Sequence, residues 1–285
     1  MTYYTYLYFA EKLRDSLPYA SAAVVKLYHD AYLLGAMGAD LLAPMGRTAA
    51  EMDVMDPYDL FEQTAAYSYE SGSKCQLAYM LGMLTHYLLD SRINPYLYYF
   101  AENGAPHYFD EDKEIVSYED IRASVDYYIS QAHLDGKKEE LRAFRARPDV
   151  VEDLGKLYER AVSRAVGHIL PAKEVEQCLS NPKWTPDYGV KMEIVDYTNR
   201  EGRPWKTVRG GEWTSTLSLE ELLEKLEPIA VKMIGDYMAR VRSGIELNKM
   251  AFRVNHLGVL VSKVAPRRVP NAHKVEEIER EDDEE

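Results

Sequence analysis

His86 and Asp90 stand four residues apart in the apolar stretch Ala78-Tyr-Met-Leu-Gly-Met-Leu-Thr-His86-Tyr-Leu-Leu-Asp90. On a helix that interval puts both side chains on one face, where an imidazole and a carboxylate could grip one metal ion. Asp40, near the end of another expected helix, could bridge to a second ion. Clustered zinc would lower the pKa of a bound water and stabilise charge on a phosphoryl oxygen. The spacing by itself fits a structural His–Asp hydrogen bond more simply than a metal site. The same interval recurs at His107 and Glu111, an alternative metal pair if that segment is helical, although its Gly and Pro flanks read as loop. His29, His133, His168, His256 and His273 show no partner spacing and read as surface or core histidines. The Ser and Cys residues form no nucleophile motif, and there is no Walker loop or dinucleotide fingerprint.

The elements that must position these residues are helical. A period of 3.6 residues dominates the chain and predicts an all-α fold. Helices are expected over 5–16, 19–42, 60–71, 74–89, 117–133, 150–170 and 172–179, with Gly35 and Gly38 allowing a neighbour close approach. Pro44 ends the second, the stretch from Met45 to Tyr58 reads as loop, and Asn94-Pro95 ends the 74–89 helix or begins a new turn. A long irregular stretch rich in Gly and Pro runs from about Pro182 to Ser215. Ser218 then opens a strong helix, with Glu220 and Glu221 near its start, and a further helix is possible over 243–254. Residues 1–270 read as a single helical domain. Residues 271–285, mostly Glu and Asp from Val275 on, read as a disordered acidic tail.

Composition narrows the function classes. The 285 residues are 46% hydrophobic and 28% charged, with a net charge of −13. An acidic surface repels phosphate backbones and anionic headgroups, which argues against nucleic-acid binding or adsorption through a basic patch. Two cysteines, Cys75 and Cys178, support neither a disulfide framework nor a Cys-based zinc motif. No apolar run approaches the roughly 18 residues of a membrane span, and the N-terminus lacks signal-peptide features, so a cytoplasmic location is expected. The 23 tyrosines, several of them around His86, read as core or pocket wall with a wet hydroxyl, and Trp205 as a packing residue.

Three segments together resemble the zinc-dependent phospholipase C family. Gly35-Ala-Met-Gly-Ala-Asp40 is similar to its Gly-x-x-Gly-Pro-Asp element. Ala78 to Tyr96 is similar to its central His-x-x-x-Asp helix and the His-Pro-Tyr turn that follows. Asp196-Tyr-Thr-Asn199-Arg-Glu-Gly-Arg-Pro204-Trp205 is similar to a loop that short members carry before their last core helix. The match spans most of residues 1–245, and the middle segment is the most specific. The resemblance implies a compact helical bundle, zinc as cofactor and phospholipids or other phosphodiesters as substrates. Metal ligands by resemblance are Asp40, His86, Asp90 and Asp126, with Asp40 and Asp90 as the catalytic carboxylates.

The sequence also departs from the family pattern. An early His is replaced by Tyr6, and the His of His-Pro-Tyr by Asn94. A His-x-x-x-Glu pair with a following Asp aligns with Tyr118, Arg122 and Asp126. An Arg cannot deprotonate to ligate a cation, and it would bring its own charge to the carboxylates instead. The expectation is a relative with an eroded metal site, a pseudoenzyme that binds a ligand or partner protein. The alternatives are a hydrolase with a reduced zinc complement, and a site repurposed with Tyr6 or Tyr118 as phenolate ligands.

Overall fold

The structure is a computed structural model that describes residues 3–46, 48–103, 117–134, 136–180, 197–207 and 214–261. Among these the fold is mostly helical, with a single two-stranded sheet. The helices run α1 (Tyr3–Arg14), α2 (Tyr19–Leu27), α3 (His29–Met37), α4 (Thr48–Val54), α5 (Pro57–Ser71) and α6 (Lys74–Asn103). After them come α7 (Tyr118–His133), α8 (Lys138–Ala143), α9 (Pro148–Leu157), α10 (Ser163–Val166), α11 (Ala172–Ser180) and α12 (Leu219–Ser243). None is long and apolar enough to cross a membrane. The expected acidic tail lies outside the described residues.

The core is built around α6, which is buried along most of its length and on every side, as an apolar helix without a polar face must be. Two glycines set its closest neighbour. Gly35 on α3 and Gly82 on α6 face each other's helix so closely that an added Cβ would overlap the Tyr79 and Tyr32 carbonyls respectively. The two backbones therefore cross almost in contact. Capping boxes at Ser117 and Ser218 start α7 and α12 by satisfying the otherwise orphaned first-turn N–H groups. Buried tyrosines complete the core by bonding through their hydroxyls. Tyr79 pairs with Tyr158 at 2.6 Å, Tyr32 donates to the Ala10 carbonyl and Tyr96 to the Tyr197 carbonyl.

The element boundaries differ from the expectation in three instructive places. The stretch expected as loop before Tyr58 contains α4, a short helix that buries Met52. The segment over 243–254 forms only a 3₁₀ turn at Lys249–Phe252, because Gly244 in left-handed conformation closes α12. The third difference matters most, for α6 does not end at Asn94-Pro95 but runs through it to Asn103. Proline in a helix interior frees the carbonyl four residues earlier, here that of Ser91. Gly258 packs against that carbonyl and the Pro95 ring, with a positive φ of 75° and no room for a Cβ. The missing helical bond thus becomes a seat for the loop around Gly258.

The α3–α6 crossing gives a sharp test. Gly82→Ala should gain about 1 kcal/mol if helix propensity decided the outcome. Overlap with the Tyr32 carbonyl instead predicts a net loss of about 1–3 kcal/mol in urea unfolding, from overpacking. A neutral or stabilising result would mean that the helices can separate freely.

Candidate metal centre

The α3–α6 crossing fixes the His86 ring. Gly38 follows α3 with a φ of 60°, and a Cβ there would overlap the imidazole. The ring stacks at 4.3 Å on Tyr6 from α1, and its Nδ1 lies 3.2 Å from the Ala36 carbonyl. A proton on Nδ1 satisfies that carbonyl and leaves the Nε2 lone pair facing inward. A backbone partner of this kind orients a ligating imidazole and sets its tautomer.

One turn further along α6, Asp90 faces the same space. Its Oδ2 lies 3.1 Å from His86 Nε2 and 3.5 Å from Nδ1 of His256, while Oδ1 accepts a 2.6 Å hydrogen bond from the Tyr6 hydroxyl. His86, Asp90 and His256 are 1%, 5% and 1% exposed. Each offers a ligand atom within 4.8 Å of the others, so the three could hold a metal ion. His86 Nε2 and both ring nitrogens of His256 are buried without an aligned hydrogen bond. Orphaned polar atoms of this sort are rare in folded proteins and call for an occupant. Imidazole nitrogens beside a carboxylate are a donor set that fits a divalent transition metal such as zinc.

The electrostatics agree with the geometry. Burial alone would raise the Asp90 carboxyl, but the charge of the N-terminal amine, then that of His86, and hydrogen bonding with His256 and His86 hold it well below the usual range. Burial would lower His86, and the adjoining Asp90 overrides this and raises it. The same field reaches Asp53 on α4, whose carboxyl is raised, first by burial and then by Asp90 and Asp40 against the opposing pull of His256.

Sequence reasoning brought together His86 and Asp90, and it passed over His256 and Asp53. His256 was read as a surface or core histidine, but it enters the site from a turn far along the chain. The Asn255 side chain accepts from the Leu257 and Val259 N–H groups, and an antiparallel bridge joins Val254 to Leu260. Asn94 then holds this turn in place, since its Nδ2 donates to the His256 carbonyl at 2.9 Å and its Oδ1 accepts from Tyr118 at 2.8 Å. Asn94 is therefore not a helix-ending residue; it fastens the His256 turn to α6.

The remaining candidates lie outside the cluster. Asp40 has a side chain 46% exposed and pairs with Arg122 at 3.6 Å. Arg122 also reaches Glu119 and lies over the Tyr118 ring. Asp126 is fully buried but accepts from the Thr5 N–H and hydroxyl at 2.6 and 2.8 Å, tying α7 to α1. Tyr6 and Tyr118 act as hydrogen-bond donors, and burial first, then nearby negative groups, pushes both hydroxyls up, away from phenolate. His107 and Glu111 lie outside the described residues. Of the other histidines described, His29 pairs with Glu11, His133 with Glu220 and His168 with Glu51, all toward the surface.

No family model matches the chain, and neither a curated protein nor a solved structure matches it.

The fastening role of Asn94 is measurable. Asn94→Ala should leave the His256 carbonyl and the Tyr118 hydroxyl without partners, at about 1–3 kcal/mol for each group that finds no water. Chemical denaturation should show that loss. A change below about 0.5 kcal/mol, within the ordinary range for a surface substitution, would mean that the turn is held by packing alone.

Proposed function

We propose that this protein is a metal-binding helical protein related to the zinc-dependent phospholipases C, with one zinc on His86, Asp90 and His256 and no hydrolytic cluster. The observation that carries the reading is the set of three buried, unbonded ring nitrogens around one buried carboxylate. Zinc bound there would neutralise Asp90 and tie α6 to the turn of His256. The positions at which the resemblance expects further ligands have other work. Arg122 offsets the charge of Asp40, Asp126 is bound to Thr5, and Asn94 fastens the turn. With those carboxylates already compensated, a second and third ion have little to bind. The reading is of a relative that keeps the helical frame and serves as a binding protein, in the cytoplasm, with a ligand or partner protein in place of phospholipid turnover.

A second reading has one observation of its own. Three protein ligands leave one zinc coordination position open, as in catalytic zinc sites. Arg122 stands at the more exposed side, beside Asp40, and guanidinium is well shaped for a phosphate oxygen. This reading makes the protein a phosphodiester hydrolase with a reduced zinc complement.

Elemental analysis of protein purified without added zinc, together with a phospholipase C assay on phosphatidylcholine vesicles, separates the two. The first reading predicts about one zinc per chain, lost in His256→Ala, and no turnover above background. Affinity should begin to fall already above the ordinary imidazole value of about 6.5 and continue falling as the pH drops, because the metal must displace a proton from imidazole and the raised pKa of His86 makes that proton harder to remove. Stoichiometric zinc with metal-dependent turnover would establish the second reading. Absence of metal, even after incubation with zinc, would contradict both.

A further inference from the structure

On the opposite side of the loop that carries His256 lies a second cavity, of about 670 Å³. Its walls come from α6 through Ser91, Arg92 and Pro95, from α12, and from the turn at Val254 and Gly258. It is of the size that small-molecule sites usually have. Its long wall is aliphatic, with Leu222, Leu226 and Ile229 in a row on α12, and Ile229 is left 42% exposed at the surface. Among the described residues the same cavity is lined by three cations, Arg92, Lys225 and Arg253, and by no carboxylate.

That charge pattern is unusual for this chain. The net charge is −13, yet none of these three cations forms an ion pair with a described residue. Arg92 is largely buried, and its Nε is a buried donor with no hydrogen-bond partner. Arg253 and Lys225 line the same cavity, so its lining concentrates positive charge around that unmet donor. An anion in the cavity would supply the missing acceptor. The aliphatic wall requires that the anion also carry an apolar chain.

We propose that this cavity binds a phosphate monoester with a single aliphatic chain, its headgroup between Arg92 and Arg253 and its chain along Leu222, Leu226 and Ile229. A dianionic phosphate matches three clustered cations better than a carboxylate does, and guanidinium groups bind phosphate oxygens in pairs. Lys225, exposed on α12, closes the headgroup end as a movable point charge. The proposal is independent of the metal reading, since no metal ligand lines the cavity.

Isothermal titration of the full chain with dodecyl phosphate, below its micelle concentration, tests it. One molecule per chain is expected. Dodecanoate should bind at least fivefold more weakly, and 1-dodecanol and inorganic phosphate at least tenfold more weakly. Arg92→Gln should weaken dodecyl phosphate at least tenfold, as should Lys225→Glu, a surface change that leaves folding intact. Dodecanol binding as tightly would show a plain apolar groove, and inorganic phosphate binding as tightly would show that the chain is not recognised. Dodecanoate binding equally well, or unchanged affinity in both variants, would also overturn the proposal.

Discussion

Taking a carboxylate out of water costs several kcal/mol unless donors or opposite charge replace the solvent. Asp90 is buried in the middle of the longest helix, and much of the molecule is arranged to meet that cost. Tyr6 arrives from α1 with a hydroxyl, His86 from one turn earlier on the same helix, and His256 from the far end of the described chain. Each approach has its own local cause. Gly38 makes room for one ring, and Asn94 with the proline notch seats the other. Three segments of the core thereby answer one electrostatic demand, since α1, α6 and the His256 turn each bring Asp90 a hydroxyl or an imidazole.

Two kinds of compensation are at work side by side. At the exposed end, Arg122 supplies a permanent charge to Asp40, and half-exposed pairs of this sort contribute modestly and stay soft. At the buried end two imidazoles face Asp90, with ring nitrogens that have no aligned hydrogen-bond partner among the described residues. A fixed guanidinium makes a metal unnecessary in the first place, and paired imidazoles invite one in the second. A charge-compensated carboxylate at one end and a possible metal site at the other therefore coexist in one bundle.

Much of this was legible in the sequence, and the limits have physical reasons. The four-residue interval of His86 and Asp90 is a local property of a helix, and it survives folding unchanged. The same holds for Gly35 and Gly38 and for the capping residues Ser117 and Ser218, whose roles are set within a few residues. His256 was not legible by spacing, because its partners are distant in the chain. The available signal was Asn255-His-Leu-Gly258, a turn whose Asn caps two backbone N–H groups and whose Gly takes positive φ. A turn so firmly fixed around a single His points to a positioned side chain. Pro95 misled for the opposite reason. Its local preference is to stop a helix, and a loop packed on the freed carbonyl overrode it.

The central claim is a place for one metal, and diffraction can locate it. Crystals of protein loaded with zinc, measured on both sides of the zinc absorption edge, would give an anomalous difference map. The account predicts one strong peak between His86 Nε2, the Asp90 carboxylate and the His256 ring, and no peak beside Asp40 or Asp126. A peak among Asp40, Asp126 and Asp90, with the His256 ring turned away, would contradict it.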